Sequence, residues 1–477
     1  MVHVFALATG MWGAPGCASR SPDAVQVTSF PLPDGWTSAN GLQPRGSLPL
    51  EQWWAQWGDE QLNALLTQAR AHNTDVRSAV AALHQAQAQR DMRSSALWPT
   101  LSANASAQRS HAASTGTSND LGANLAASWI PDVFGTNQAA LRASAADVLA
   151  AQADWASAQS ALTVAVSATY VDLRGWQARL RVAQDSAAAQ ADTLQMARWR
   201  TQAGLASVLD VDLAVSAFEQ TQALLPTLQV GYALALDTLA VLTGQAPGTL
   251  AQTWPDSASA EPTQDMQLSL PARVLRQRPD VLAAEQRIAA ALQRVDQAYA
   301  ARYPSFQILG SLGLNAGSLD QLGRPAAVAS SLLAAVAYPL FDAGASQAQV
   351  RAQRAVLEQA RVAYDAVVLA ALKDVEDNVA SLRGHRLRLL RLQKAVAAAS
   401  NADSIARQRY ASGLIDFRAV LEAQANLFNA QDSLVSTRSD LTSDYVRLYQ
   451  ALGGGRWGNP DPGTDSSAPI ATWTPRL

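Results

Sequence analysis

The chain has 477 residues, 16% of them charged, a formal net charge of −3 and a single cysteine, Cys17. The sparse, mixed charge without a basic run excludes nucleic acid as a partner, and one cysteine excludes an internal disulfide or a thiolate metal cluster. No stretch approaches the roughly 18 uninterrupted apolar residues of a spanning helix, so a bilayer crossing is expected only as a closed β-barrel.

Residues 1–16 hold an apolar stretch, Val2 to Trp12, followed by small residues up to Gly16-Cys17. This is similar to the end of a lipoprotein signal peptide, although Ala14-Pro15 is atypical and no Lys or Arg precedes the stretch. An acyl chain on Cys17 would tether the protein to outer-membrane lipid without spanning it. Residues 17–50, with Pro22, Pro31, Pro33, Pro44 and Pro49, read as an extended arm. A helical pattern begins near Leu48, and Trp53, Trp54, Trp57, Leu62, Leu65 and Leu66 form an apolar stripe that reads as packing.

From here the chain is one unit written twice, over residues 51–247 and 272–453 with a linker at 248–271 and a tail at 454–477. Residues 75–101 recur at 280–306, an offset of 205 (75 to 280), through Asp75/Asp280, Val76/Val281 and Pro99/Pro304. Residues 135–244 recur without a gap at 344–453, an offset of 209 (135 to 344), through Gly135/Gly344, Leu173-Arg174-Gly175/Leu382-Arg383-Gly384 and Gly244/Gly453. So long a repeat implies two equivalent halves of one body and not a stacked solenoid.

Between the recurring blocks, about 100–112 and 119–131, and about 304–316 and 328–341, apolar and polar residues alternate. Leu121, Ala123, Leu125, Ala127 and Trp129 set against Gly122, Asn124 and Ser128 show the pattern, the weak signature of an outer-membrane strand. Trp98, Trp129, Tyr303 and Tyr338 stand where strands meet helices, as an interfacial girdle would. Two soluble hairpins capping a helical rod are the alternative. Four strands are too few to close around water, so a barrel demands several copies.

Thr136 to Ala203 contains no proline, and one seam through Leu162, Val166, Leu173, Leu180, Ala183 and Ala187 keeps a period near 3.5. That predicts a rod of about 100 Å at ~1.5 Å per residue. Ser346 to Ser412 repeats it through Tyr364, Val368, Ala371, Val375, Val379 and Leu382, with a second face of Val356, Ala360, Ala363, Val367 and Ala370. Two seams on one helix require neighbours on both sides. The rods stop at Gly204-Leu205 and Gly413-Leu414, and returning helices, Val208 to Thr243 and Phe417 to Leu452, follow. These are the tips of helical hairpins, each exposing an apolar residue where a partner is expected.

No catalytic arrangement is found. His3, His72, His84, His111 and His385 are scattered and read as exposed helix or loop residues, and Gly453-Gly454-Gly455 lacks the Lys and Ser/Thr of a phosphate loop. Neither an enzyme, a metal site nor a cofactor is expected. For a duct, rings of charge select at constrictions, and the acids just above the tips are the gate candidates: Asp210, Asp212, Asp416 and Glu422.

Taken together the chain resembles the outer-membrane efflux factor (TolC-like) family, nearest its NodT-type lipoprotein branch. The resemblance rests on Gly16-Cys17, Trp53-Trp54 with Asp59 and Leu62, Ser128 to Gly135, Arg276 to Val281, Tyr338 to Gly344 and Arg409-Tyr410 through Glu422 to Gln424. It implies a mainly α fold with a small β part: a homotrimer whose helical hairpins form a periplasmic α-barrel, joined to an outer-membrane β-barrel built from four strands per protomer. It further implies a periplasmic adaptor (membrane fusion) protein at Gly204, Leu205, Gly413 and Leu414, and an inner-membrane resistance-nodulation-division pump, with small molecules exported. By the same resemblance Glu422 matches an acidic gate position, while Ala425 replaces a basic residue found there in some relatives and Ile130 a frequent Glu. A duct for type I protein secretion and a soluble coiled-coil scaffold are the alternatives.

Overall fold

The computed structural model describes Trp36, Trp54, Trp254 and residues 57–114, 116–252, 277–321 and 324–453. The leader, Cys17, nearly all of the arm, most of the linker and the tail lie outside the described residues.

Asp59 starts the first helix, α1 (Glu60–His72), by accepting hydrogen bonds from the Gln61 and Leu62 amides. Leu48, near which the helical pattern was expected to begin, lies outside the described residues. Asn73 caps α2 (Thr74–Ser95) in the same way, through Asp75 and Val76. Strands β1 (Thr100–Ala112) and β2 (Gly116–Trp129) form a hairpin that leads into α3 (Thr136–Gln202), which α4 (Val208–Leu242) follows back. The second half repeats the order: α5 (Pro279–Ala300), β3 (Ser305–Ala316), β4 (Val328–Ala337), α6 (Ala345–Ala411) and α7 (Phe417–Ala451). Strand β4 stops at Ala337 and not at Phe341, because Pro339 lacks the amide that would extend the ladder. Strand β2 starts at Gly116 instead of 119, the register running on to Ala112↔Gly116.

The rods α3 and α6 each have 67 residues, about 100 Å. Toward the tips the helices lie side by side in the order α4, α3, α7, α6; toward the sheet the order is α2, α3, α5, α6. Trp54, Trp57, Leu62 and Leu66 pack into the middle of this layer against Val166, Leu173, Leu239, Val379, Leu382 and Leu448. One seam of α6, Tyr364 to Leu382, is buried against α5 and α7, but Val356, Ala363 and Ala370 on its second face are exposed. Helix α4 is long and apolar enough to cross a membrane by length and composition alone, a feature that counting uninterrupted apolar residues does not reveal because four acids punctuate it.

Each half is closed on itself by an equivalent contact made with a different residue. Asn73 Nδ2 donates to the Leu242 carbonyl at 3.1 Å, ending α4, and Arg278 Nη1 donates to the Ala451 carbonyl at 3.1 Å, ending α7. Gly244 follows α4 at φ +74°, and a Cβ there would lie 2.8 Å from the His72 backbone. Arg278, in the Arg-Gln-Arg-Pro-Asp-Val stretch, is also bonded by Asp280 at 2.7 Å and Asp374 at 3.3 Å. Its side chain is 10% exposed, so Arg278→Met strands two carboxylates and a carbonyl. We expect a loss of about 2–3 kcal/mol, below the usual figure for a buried pair because Asp374 is half exposed, read as a lower urea midpoint of the detergent-solubilised protein.

Candidate functional site

Two ends of the molecule carry exposed apolar chemistry. At the sheet end the strand order is β1-β2-β3-β4, all antiparallel, and the register sorts the side chains by face. Ala103, Leu125 and Leu312 share one row, and Leu101, Ala127 and Leu332 the next, all on the same side. The opposite side carries Ser102, Asn104, Asn124 and Gln307, with Ser110 bonded to Ser118 and Ser311 to Ser331, each at 2.8 Å. Leu332 is 82% exposed, so the apolar face has no cover among the described residues. Strands of 10 to 14 residues match the length that spans a bilayer when tilted.

Aromatic residues ring the base of this sheet. Trp129 Nε1 donates to the Leu97 carbonyl at 3.0 Å beside exposed Trp98, and Phe134 stacks on Tyr303 with ring centres 4.9 Å apart. Below them Asp132 accepts from the Asn137 and Gln138 amides and Asp342 from Gly344 and Ser346, which fixes the start of each rod. Ile130 is exposed at this junction.

At the other end both rods close by the same six-residue motif. The Leu205 amide donates to the Arg200 carbonyl at 2.8 Å and the Gly204 amide to Thr201; Leu414 and Gly413 repeat this with Arg409 and Tyr410. Glycine is required because φ is +72° at Gly204 and +73° at Gly413. Leu205 and Leu414 are each 71% exposed. Beneath them Tyr410, Phe417 and Val420 pack on Leu194, Ala197 and Ala214, and Arg200 ties the two hairpins by donating to the Tyr410 carbonyl while lying 4.5 Å from its ring. Burial pushes the Tyr410 hydroxyl above its ordinary range.

The four acids of the sequence reading fall into different roles. Asp210 and Ser207 form a reciprocal cap on α4, and Asp416 caps α7 through the Ala419 amide. Asp212 is exposed on α4. Glu422 is exposed and accepts from Arg418 Nε at 3.0 Å. Its basic partner thus lies one turn before it instead of three residues after, where Ala425 stands. His385 departs from the exposed reading: half-buried, its Nδ1 lies 2.6 Å from buried Asp444. Burial raises the Asp444 carboxyl above the usual carboxylate range, opposed by the imidazole. A cluster in which buried Tyr170 and Arg174, 3.1 Å apart, meet half-buried Asp59 and Gln61 was not found from the sequence because the two pairs lie more than a hundred residues apart. Among the described residues no group of three or more His, Cys, Asp or Glu side chains is placed to hold a metal ion.

A sheet apolar on one face, an aromatic ring beneath it and duplicated rods with apolar tips describe an outer-membrane duct. The profile of the family described as "Outer membrane efflux protein" matches residues 65–245 and 270–454. The chain belongs to this family. It is 30% identical to a toluene efflux pump outer membrane protein, TtgF, of Pseudomonas putida, over 93% of this chain and 95% of that protein. The pyoverdine export outer membrane protein OpmQ of Pseudomonas aeruginosa is 29% identical, over 85% and 88%. A solved structure of the outer-membrane channel OprN superposes with a TM-score of 0.82 at 30% identity, covering 89% of this chain and 98% of that one. The protein is an efflux channel component of the Gram-negative outer membrane, with a long periplasmic helical part.

Proposed function

We propose that three copies join edge to edge into a passive duct that exports small molecules, with a periplasmic adaptor at the Leu205 and Leu414 tips and a resistance-nodulation-division pump in the inner membrane. The supporting observation is that both layers of the chain are open on both sides. Among the described residues, strands β1 and β4 have unpaired edges, and α4 and α6 are edge helices with apolar residues exposed, Leu224, Val230 and Leu234 on α4 and Leu387 and Leu390 on α6. Long unpaired strands are a template for pairing, and closure removes them. Three sheets of four strands make a 12-stranded barrel, wide enough for a water-filled lumen. Relatives named for cargoes as unlike as toluene and pyoverdine accord with a lumen that selects little, leaving selection to the pump. An acyl chain on Cys17 would add a second attachment to the outer membrane.

Threefold repetition turns Glu422, Asp416, Asp210 and Asp212 into rings, and Glu422, whose Arg418 partner lies on its own helix, is the residue proposed to hold the periplasmic end closed through contacts with neighbouring helices. Three exposed contacts of Glu422 across the closed end, one per copy at about 0.5 kcal/mol each, amount to about 1.5 kcal/mol, a little over tenfold in an open-to-closed equilibrium. In planar bilayers the wild-type protein should conduct as trimers, and Glu422→Gln should raise mean conductance, by up to that factor. A purified protein that stays monomeric and forms no pore would refute the duct, and an unchanged Glu422→Gln conductance would remove Glu422 from the gate.

A further inference from the structure

The two helical hairpins are closed at the same level by different chemistry. In the first, Trp176 of α3 lies over Gly231 of α4, where a Cβ would stand 2.9 Å from the ring, and Ala235 one turn on is buried in the same apolar cluster. By the offset of 209 residues these places hold His385 on α6 and Asp440 and Asp444 on α7, and Arg447 stands where α4 has Thr238. Every member of the first joint is uncharged, and every member of the second can carry a charge.

His385 Nδ1 lies 2.6 Å from Asp444 Oδ2, and the Asp444 side chain is only 4% exposed. Charge surrounds the pair on each packed element. On α7, Arg447 and Asp440 stand one turn to either side of Asp444, and both also act on Asp172 of α3. On α6, Arg386 bonds Tyr445 of α7, while Arg383 and Arg388 are exposed. Helix α1, packed on the layer, carries exposed Glu60 and His72, and Arg70, which lies over the Trp54 ring.

With His385 neutral, Asp172 and Asp444 share Arg447 while Asp440 repels both. A proton on the imidazole gives buried Asp444 a counter-charge at hydrogen-bond distance, and a buried charge without one is costly. Acid acts in the same direction on the carboxyl. Burial raises Asp444, so its charge opposes the closed joint, and that opposition fades as pH falls through the raised range.

We infer that the His385–Asp444 pair makes α6–α7 a proton-sensitive hairpin, closed while the imidazole is protonated and looser once it is neutral, beside an α3–α4 hairpin that pH leaves unchanged. Histidine is the side chain that changes charge between about pH 5 and 8. The pair stands about 45 Å from Leu414, so an opening there is carried down the arm that holds the Leu414 tip and Glu422. The device belongs to the single chain and needs neither a pore nor a trimer.

The test is amide hydrogen exchange of the detergent-solubilised full chain, with rates corrected for the intrinsic effect of pH and α3–α4 as the internal reference. From about pH 5.5 to about pH 8, protection around His385 and Asp444 should fall about tenfold relative to the amides around Trp176 and Ala235, the size of one charge-assisted hydrogen bond. His385→Gln keeps a donor without the charge and should abolish that fall, as should Asp444→Asn. Joints that respond alike in the wild-type protein, or a fall that survives in His385→Gln, would overturn the inference and leave the duct standing. The wild-type comparison decides the matter even where a variant fails to fold.

Discussion

Gly175→Val is expected to destabilise the protomer by about 3 kcal/mol, while the same change at Gly384 leaves the fold of the single chain intact. At Gly175 the Cβ alone would stand 3.1 Å from Ser439 Cβ, and a branched side chain adds two methyl groups where α3 and α7 already touch. Overpacking of this kind costs about 1–3 kcal/mol, and rotating the Ser439 hydroxyl away does not move its Cβ. Ser439→Gly should recover most of the loss, since it removes the atoms that clash. The check is the urea midpoint of detergent-solubilised protein for Gly175→Val, Ser439→Gly and the pair. If Gly175→Val unfolds at the wild-type midpoint, helices α3 and α7 do not approach this closely.

The second large effect is expected at the tips. Leu205→Asp combined with Leu414→Asp should abolish export in cells while leaving the trimer and its bilayer conductance unchanged. Both leucines project from turns held by their own backbone hydrogen bonds, and neither is part of the buried cluster beneath them, so the fold loses nothing. An apolar anchor replaced by a charge at a binding surface costs about 2 kcal/mol or more, and each ~1.4 kcal/mol is tenfold in affinity. With two tips per protomer, adaptor binding should fall well over a hundredfold. Wild-type resistance in cells expressing the double variant would show that the adaptor grips elsewhere.

The duct architecture was legible in the sequence to an unusual depth because its signals are local or repeated. A period near 3.5 without proline gives α3 and α6 their length, Gly-Leu gives their ends, and alternation gives the strands. The end of β4 has a local cause too: Pro339 stops the ladder short of Phe341. The acids above the tips were harder to read. Their position was visible, but Asp210 and Asp416 are committed to capping amides, and the partner of Glu422 is Arg418 on its own helix. Side-chain bonding of that sort depends on rotamers and turn geometry that residue spacing leaves open.

By itself the sequence determined that the chain is two equivalent halves, each a strand hairpin, a rod that ends in an apolar tip and a returning helix, because those properties follow from neighbours along the chain. Only the tertiary structure decided how the halves differ. It showed Gly175 buried and Gly384 open, one seam of α6 filled and the other bare, and Asn73 and Arg278 closing equivalent joints with different chemistry. The reason is that the two halves lie side by side in one open layer, which leaves α4 of the first half and α6 of the second at its edges, so identical residues meet a helix in one half and water in the other.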